Sequence, residues 1–497
     1  MDIQELETEI AKFIYDLETE DRLVRVGLKD VAKSAKVYKK YKHLFGEKFL
    51  EEVKAEVSKV SKAGSKKDIL ERIYFTLAGS FVGQTTAAAQ DKITTYFSKA
   101  KVKVGNETIT YYQIAPKISK EPIFEKREKY DSAASKVVTK INPKQLVLLK
   151  QEMKLLKNLG FGGYVHYFSQ AKKQDYQKFY AVVKNLIWET DSLWEKTIRK
   201  VSQEFLGRPF KKIAACHMVY LRSMSNFDNF YPQQKVVAVF KKFVHDMGLE
   251  SLFSNIKIDD EDRPKKNPRA VCYWPKPPDE VHLVIKPIGG EQDFEAMFHE
   301  GGHALHGAAI DRDLPYSFKM LARSNALTET YAFILEDLVF DPEWLMIHLN
   351  VSSFTAGRIR WQAIFINLMM LRRYFGKFSY EYEMFSKERL VQGPTLYKRN
   401  LEKMTGFVMR KENWLSDMDG GFYSAEYLRA WIAASQIKDY LVKKFGKKWF
   451  LNPKAGKFFH DLWSRGVTDE VEDVVRRLGY QPWDIGFLLR GYREILK

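Results

Sequence analysis

Phe298-His299-Glu300-Gly301-Gly302-His303-Ala304-Leu305-His306 is the stretch from which the rest of the chain is read. On an α-helix, His299 and His303 stand one turn apart on one face, the separation at which two imidazole nitrogens can share one tetrahedral zinc ion. Glu300 sits one residue on, beside that face, where its carboxylate can take a proton from water rather than bind metal. Gly301 and Gly302 each cost a helix about 1 kcal/mol relative to alanine, so their presence implies close approach by another backbone or by a substrate. No other metal-type motif occurs in the 497 residues.

Two prolyl clusters stand upstream, Arg263-Pro264-Lys265-Lys266-Asn267-Pro268 and Trp274-Pro275-Lys276-Pro277-Pro278-Asp279. They bracket two short strand candidates, Arg269 to Trp274 and Glu280 to Lys286, the second enriched in β-branched residues. Pro287, Gly289 and Gly290 then lead into the histidine helix. Downstream, the turn Asp311 to Pro315 separates that helix from a second helical stretch, Asn325 to Glu336. A catalytic zinc needs a third protein ligand and an open position. Antiparallel pairing of the two helices would bring Glu329 opposite the histidines. Glu336, two turns further on, is placed to hydrogen-bond a ligand imidazole, and His306 either does the same or fills the helix face.

Beyond this region the apolar residues recur at three and four positions over Ile3 to Leu23, Phe49 to Val60, Pro143 to Leu159 and Ser169 to Phe205, which predicts a helical N-terminal part. A single hairpin is predicted at Lys101 to Tyr112, turning at Gly105-Asn106. The fold expected is mainly α, with a small β-sheet beside the zinc helix. Two domains are expected: residues 1–205 as an N-terminal helical domain and 206–497 as the domain carrying the zinc site.

Composition narrows the function classes. Hydrophobic residues make up 45% and charged residues 29%, the balance of a globular protein. The longest apolar window without a charge, Trp361 to Leu371, is too short to span a bilayer. The acidic start, Met1-Asp2-Ile3-Gln4-Glu5, does not read as an export signal, so a cytoplasmic location is expected. Cys216 and Cys272 exclude a disulfide scaffold and a four-cysteine zinc site. The net charge of +18 is spread over lysines interleaved with apolar residues, as on solvated helix faces. Neither nucleic-acid nor membrane binding is therefore expected.

The motif, with a glutamate 26 positions after the second histidine and another acid seven further on, resembles the thimet-oligopeptidase and oligoendopeptidase F family of zinc metallopeptidases. Gly302 and His306 both match the family pattern. Val281-His282-Leu283-Val284-Ile285 resembles the family's edge strand beside the active-site cleft, on which a peptide backbone would pair. Gly421-Phe422-Tyr423-Ser424-Ala425-Glu426-Tyr427 resembles its tyrosine-rich segment, whose hydroxyls stabilise the tetrahedral intermediate. The resemblance implies two helical halves around a deep substrate channel, one zinc ion per chain on His299, His303 and Glu329, Glu300 as general base, Tyr427 or Tyr423 on the oxyanion, and short peptides as substrates. Two departures stand out: Asp417-Met418-Asp419-Gly420 lies where family members carry a histidine, and Ala425 lies where an aromatic is common. The chain is also close in size to the related Taq-type zinc carboxypeptidases, but Thr328-Glu329-Thr330-Tyr331-Ala332-Phe333 is nearer the oligoendopeptidase pattern.

Overall fold

The structure is a computed structural model that describes residues 2–62 and 64–497. It is mainly helical. The longest helices are Ser65–Lys99, Phe124–Asn158, Tyr176–Leu206 and Ser353–Ser386. Pro143 does not begin a helix, as the spacing suggested, but lies inside Phe124–Asn158. Val137, Val138 and Ile141 are buried just upstream, and their packing carries the helix through the proline. The stretch Ser169 to Phe205 is in turn two helices. The first, Tyr164–Ala171, ends at Lys172, Lys173 adopts a left-handed φ of 48°, and Asp175 caps Tyr176–Leu206 by accepting from the Lys178 amide.

Among the described residues, five strands form two sheets. β1 (Lys101–Val104) and β2 (Glu107–Thr110) make the expected hairpin around Gly105-Asn106. β3 (Ile256–Asp259), β4 (Val271–Lys276) and β5 (Glu280–Val284) form the sheet beside the histidine helix, in the order β3-β5-β4. This corrects the expectation of an exposed edge at Glu280 to Lys286. β5 is the central strand, parallel to β3 and antiparallel to β4. Val281, Leu283 and Val284 are accordingly buried in succession, as in a strand covered on both faces. The edges belong to β3 and β4.

The histidine helix, Glu291–Ala309, packs on this sheet with one side and on the helix Ala326–Glu336 with another. Three glycines set how closely it sits. A Cβ on Gly302 would lie 2.8 Å from the Ala332 Cα, one on Gly307 2.6 Å from the indole of Trp274 in β4, and one on Gly301 2.3 Å from the edge of the Phe240 ring. The helix-breaking cost of Gly302 is therefore offset by a backbone-to-backbone approach that any side chain would block. A third helix, Tyr423–Phe445, lies against Ala326–Glu336 on its other side. Among the described residues, no helix is long and apolar enough to cross a membrane.

Candidate metal centre

The close packing of the two helices brings His299, His303 and Glu329 together, with one donor atom of each within 4.8 Å of the others. Glu329 Oε2 lies 3.4 Å from His299 Nε2 and 3.9 Å from His303 Nε2. It is buried and has no hydrogen-bond partner among the described residues, a costly state for a carboxylate oxygen unless a cation satisfies it. Two donors on a tetrahedral zinc, at bonds of roughly 2.0–2.1 Å, stand about 3.4 Å apart, so the spacing suits that ion. Two imidazoles and one carboxylate are also the donor types of catalytic zinc sites.

The electrostatics agree. Burial opposes a charge on His299, but the carboxylates of Glu329 and Glu336 outweigh it and hold its pKa well above the usual imidazole value. Burial likewise opposes ionisation of Glu329, and His299 and His303 overcome it and keep the carboxylate ionised. The pocket thus favours one positive charge between the two helices. His303, by contrast, is kept neutral by burial, the form that offers a lone pair to metal.

Glu336 accepts a 2.6 Å hydrogen bond from His299 Nδ1, which directs Nε2 at Glu329 and would keep the proton on Nδ1 once a bound metal replaces the one on Nε2. His306 does not join this arrangement. It is fully buried, packs edge-on against Trp274 and Tyr331, and donates from Nε2 to the Gly466 carbonyl at 3.1 Å. It therefore fills the helix face and anchors it to the chain near the C-terminus, and it orients no ligand. Glu300 is half-buried, with no ion pair among the described residues. Burial, with the charge of Glu300 adding to it, pushes the thiol pKa of Cys272 in β4 up.

The two tyrosines separate. Tyr423 donates to Glu329 Oε1 at 2.6 Å, so its hydroxyl is committed to the carboxylate whose other oxygen faces the histidines. Tyr427, one turn on, packs its ring against Phe333, Tyr374 and Trp431. Its hydroxyl has no hydrogen bond among the described residues, and the Glu329 charge nonetheless reaches it, adding to burial in raising its pKa. The turn before Tyr423 is bent through two left-handed residues, Gly421 at φ 69° and Phe422 at φ 59°. For a bulky residue such as Phe422 this costs on the order of 1–2 kcal/mol.

Asp417 and Asp419, standing where a histidine was expected, are taken up in ion pairs and hydrogen bonds with other residues. Asp417 pairs with Arg373 and accepts from the Tyr397 hydroxyl at 2.8 Å. Asp419 pairs with buried Lys377 and accepts from Ser424 Oγ at 2.9 Å. Lys172 is a residue that sequence reasoning did not single out. Its ammonium pairs with Glu426 and donates to the Gly421 carbonyl at 2.6 Å. A lone lysine at a helix end carries no local signal of such a bond.

No protein-family model matches the chain, and no curated protein matches it in sequence. Solved structures do match. A structure designated oligoendopeptidase F from Bacillus anthracis str. Ames superposes with a TM-score of 0.61 at 15% identity, covering 96% of this chain and 84% of that one. PZ peptidase A with an inhibitor gives 0.70 at 14% identity, with 93% and 86% covered. The chain has the fold of these peptidases. A second oligoendopeptidase F structure gives 0.64 at 12% identity, covering 90% of this chain and 82% of the other.

Proposed function

We propose that the chain is a zinc-dependent peptidase that hydrolyses internal bonds of short peptides. The observation that carries this is the buried, unpartnered Glu329 Oε2 held between two imidazole Nε2 atoms, on a fold shared with peptidases. His299, His303 and Glu329 would hold the ion. When bound, zinc supplies a Lewis acid for the scissile carbonyl and lowers the pKa of the attacking water.

The chain's own residues do the rest. Glu300, next to the ligand face and free of partners, takes the proton of the attacking water and delivers it to the leaving amine. Tyr427, with its free hydroxyl, donates to the developing oxyanion, a contribution of about 3 to 4 kcal/mol for a well-placed donor. Tyr423 instead orients Glu329 through its Oε1. The substrate backbone pairs with β4, an edge strand of the sheet on which the histidine helix packs. Residues 1–205 form one wall of the peptide channel and 206–497 the other.

The test is digestion of peptides of about 5 to 20 residues with mass spectrometry of the products, for wild type and Glu300→Gln, with bound metal quantified in both. Internal cuts that fall by about 10²- to 10⁴-fold in the variant while zinc stays bound are expected. Trimming of single C-terminal residues would move the assignment to a carboxypeptidase. Bound zinc without any cleavage would overturn the catalytic reading.

A further inference from the structure

The bend at Gly421 and Phe422 is held open from one helix face. Tyr164, Phe168 and Lys172 recur at four-residue spacing on and just after the helix Tyr164–Ala171, so they point the same way. Tyr164 accepts from the Gly421 amide at 2.7 Å, and Lys172 donates to the Gly421 carbonyl at 2.6 Å. Phe168 closes the space beside Gly421, where a Cβ would lie 2.8 Å from its ring. Phe422 is fully buried, with Tyr164, Tyr176 and Phe385 around it.

Lys172 reaches further than the turn. Its ion-pair partner Glu426 is 1% exposed, and the other oxygen of that carboxylate accepts from the Asn325 amide at 2.9 Å, at the start of the helix that carries Glu329. One ammonium therefore fixes both ends of a short span. At one end is the bend that aims Tyr423 at Glu329 Oε1, and at the other is the N-terminus of Glu329's own helix.

We propose that Lys172 is a positioning residue for the metal centre, holding Tyr423 and the helix Ala326–Glu336 in the register that presents Glu329 to the two histidines. This rests on the proposed zinc site for its effects on metal affinity and turnover, but not for its effect on the order of residues 421–427. A lysine that merely stabilised the fold would lower the melting temperature and leave the properties of the folded protein alone. A positioning lysine changes the site itself.

The experiment compares wild type with Lys172→Met and Lys172→Arg. It reads hydrogen exchange of the amides from 421 to 427, zinc affinity of the metal-free chain, and kcat and KM separately. In Lys172→Met the 421–427 amides are expected to exchange faster, while zinc affinity and kcat fall about 10- to 100-fold with KM little changed. Lys172→Arg, which keeps the charge, restores most of both. Should Lys172→Met fail to fold, Glu426→Gln, which leaves the bond to Gly421 intact but discharges the carboxylate that holds the Asn325 amide, is expected to lower zinc affinity and kcat in the same direction by a smaller factor. Unchanged exchange over 421–427 would overturn the proposal. So would faster exchange with zinc affinity and kcat intact. If wild type cuts no peptide but Lys172→Met still weakens zinc binding, the peptidase reading falls and the positioning role stands.

Discussion

The two parts of the site are built by opposite means. The metal cradle is local: His299, Glu300 and His303 lie within five residues of one helix, and Glu329 and Glu336 lie two turns apart on its neighbour. Helical periodicity alone puts these groups on the right faces. The tyrosine turn is long-range. Gly421 to Glu426 takes its shape from Tyr164, Phe168 and Lys172, about 250 residues earlier in the chain, against the backbone preference of Phe422. Periodicity encodes a group that needs only a helix, whereas tertiary packing must encode a group that needs a strained backbone. Loss of a metal ligand in the cradle should therefore appear in chemistry and metal binding together, loss of Glu300 in chemistry alone, and removal of a tyrosine hydroxyl in the turn in one or the other according to which hydroxyl it is.

That division can be broken by the two tyrosines. Tyr427→Phe removes a hydroxyl with no hydrogen bond among the described residues, so kcat should fall about 10²- to 10³-fold with zinc affinity unchanged. Tyr423→Phe removes the bond to Glu329 Oε1, and zinc affinity should fall about 10- to 100-fold. Parallel titrations with zinc and steady-state kinetics read both. If Tyr423→Phe affects only kcat and Tyr427→Phe only the metal, the assignment of the two hydroxyls is reversed.

Gly302→Ala probes the cradle from its packing. The added methyl would stand 2.8 Å from the Ala332 Cα, and forcing the helices apart costs about 1–3 kcal/mol, against a helix-propensity gain of about 1 kcal/mol. A lower melting temperature together with weaker zinc binding is expected. A variant at least as stable as wild type that binds zinc equally would show that helix separation does not set the site.

The smallest effect lies outside both regions and calibrates them. His217 is fully buried, and burial with the adjacent Arg127 pushes its pKa down to about 3. Because the folded pKa is below the unfolded value of about 6.5, the unfolded chain takes the proton first. Stability is full above that value and is lost as pH falls from about 6.5 toward 3. Urea unfolding at several pH values should show a shallower decline in His217→Gln than in wild type, with zinc affinity at neutral pH unaffected.

What the sequence disclosed follows the same division. The mainly α fold, the hairpin at Gly105-Asn106 and the cradle were legible because each depends on spacing along one or two elements. The central place of β5 was not. Its parallel partner β3 is only four residues long, Ile256–Asp259, and joins it across a long connection, so no local pattern announces the pairing. His306 was ambiguous for another reason. A histidine one turn beyond His303 lies near the same face, and only the positions of Trp274, Tyr331 and Gly466 show that it turns into the core. Tyr423 and Tyr427, also one turn apart, could not be told apart until Glu329 was placed against one of them.

The central claim is that His299, His303 and Glu329 hold one zinc ion. Calorimetric titration of the metal-free chain with zinc, wild type beside His303→Ala, tests it most directly. One ion per chain in wild type and a loss of that tight binding in the variant is the predicted result. Equal stoichiometry and affinity in the two proteins would contradict the account.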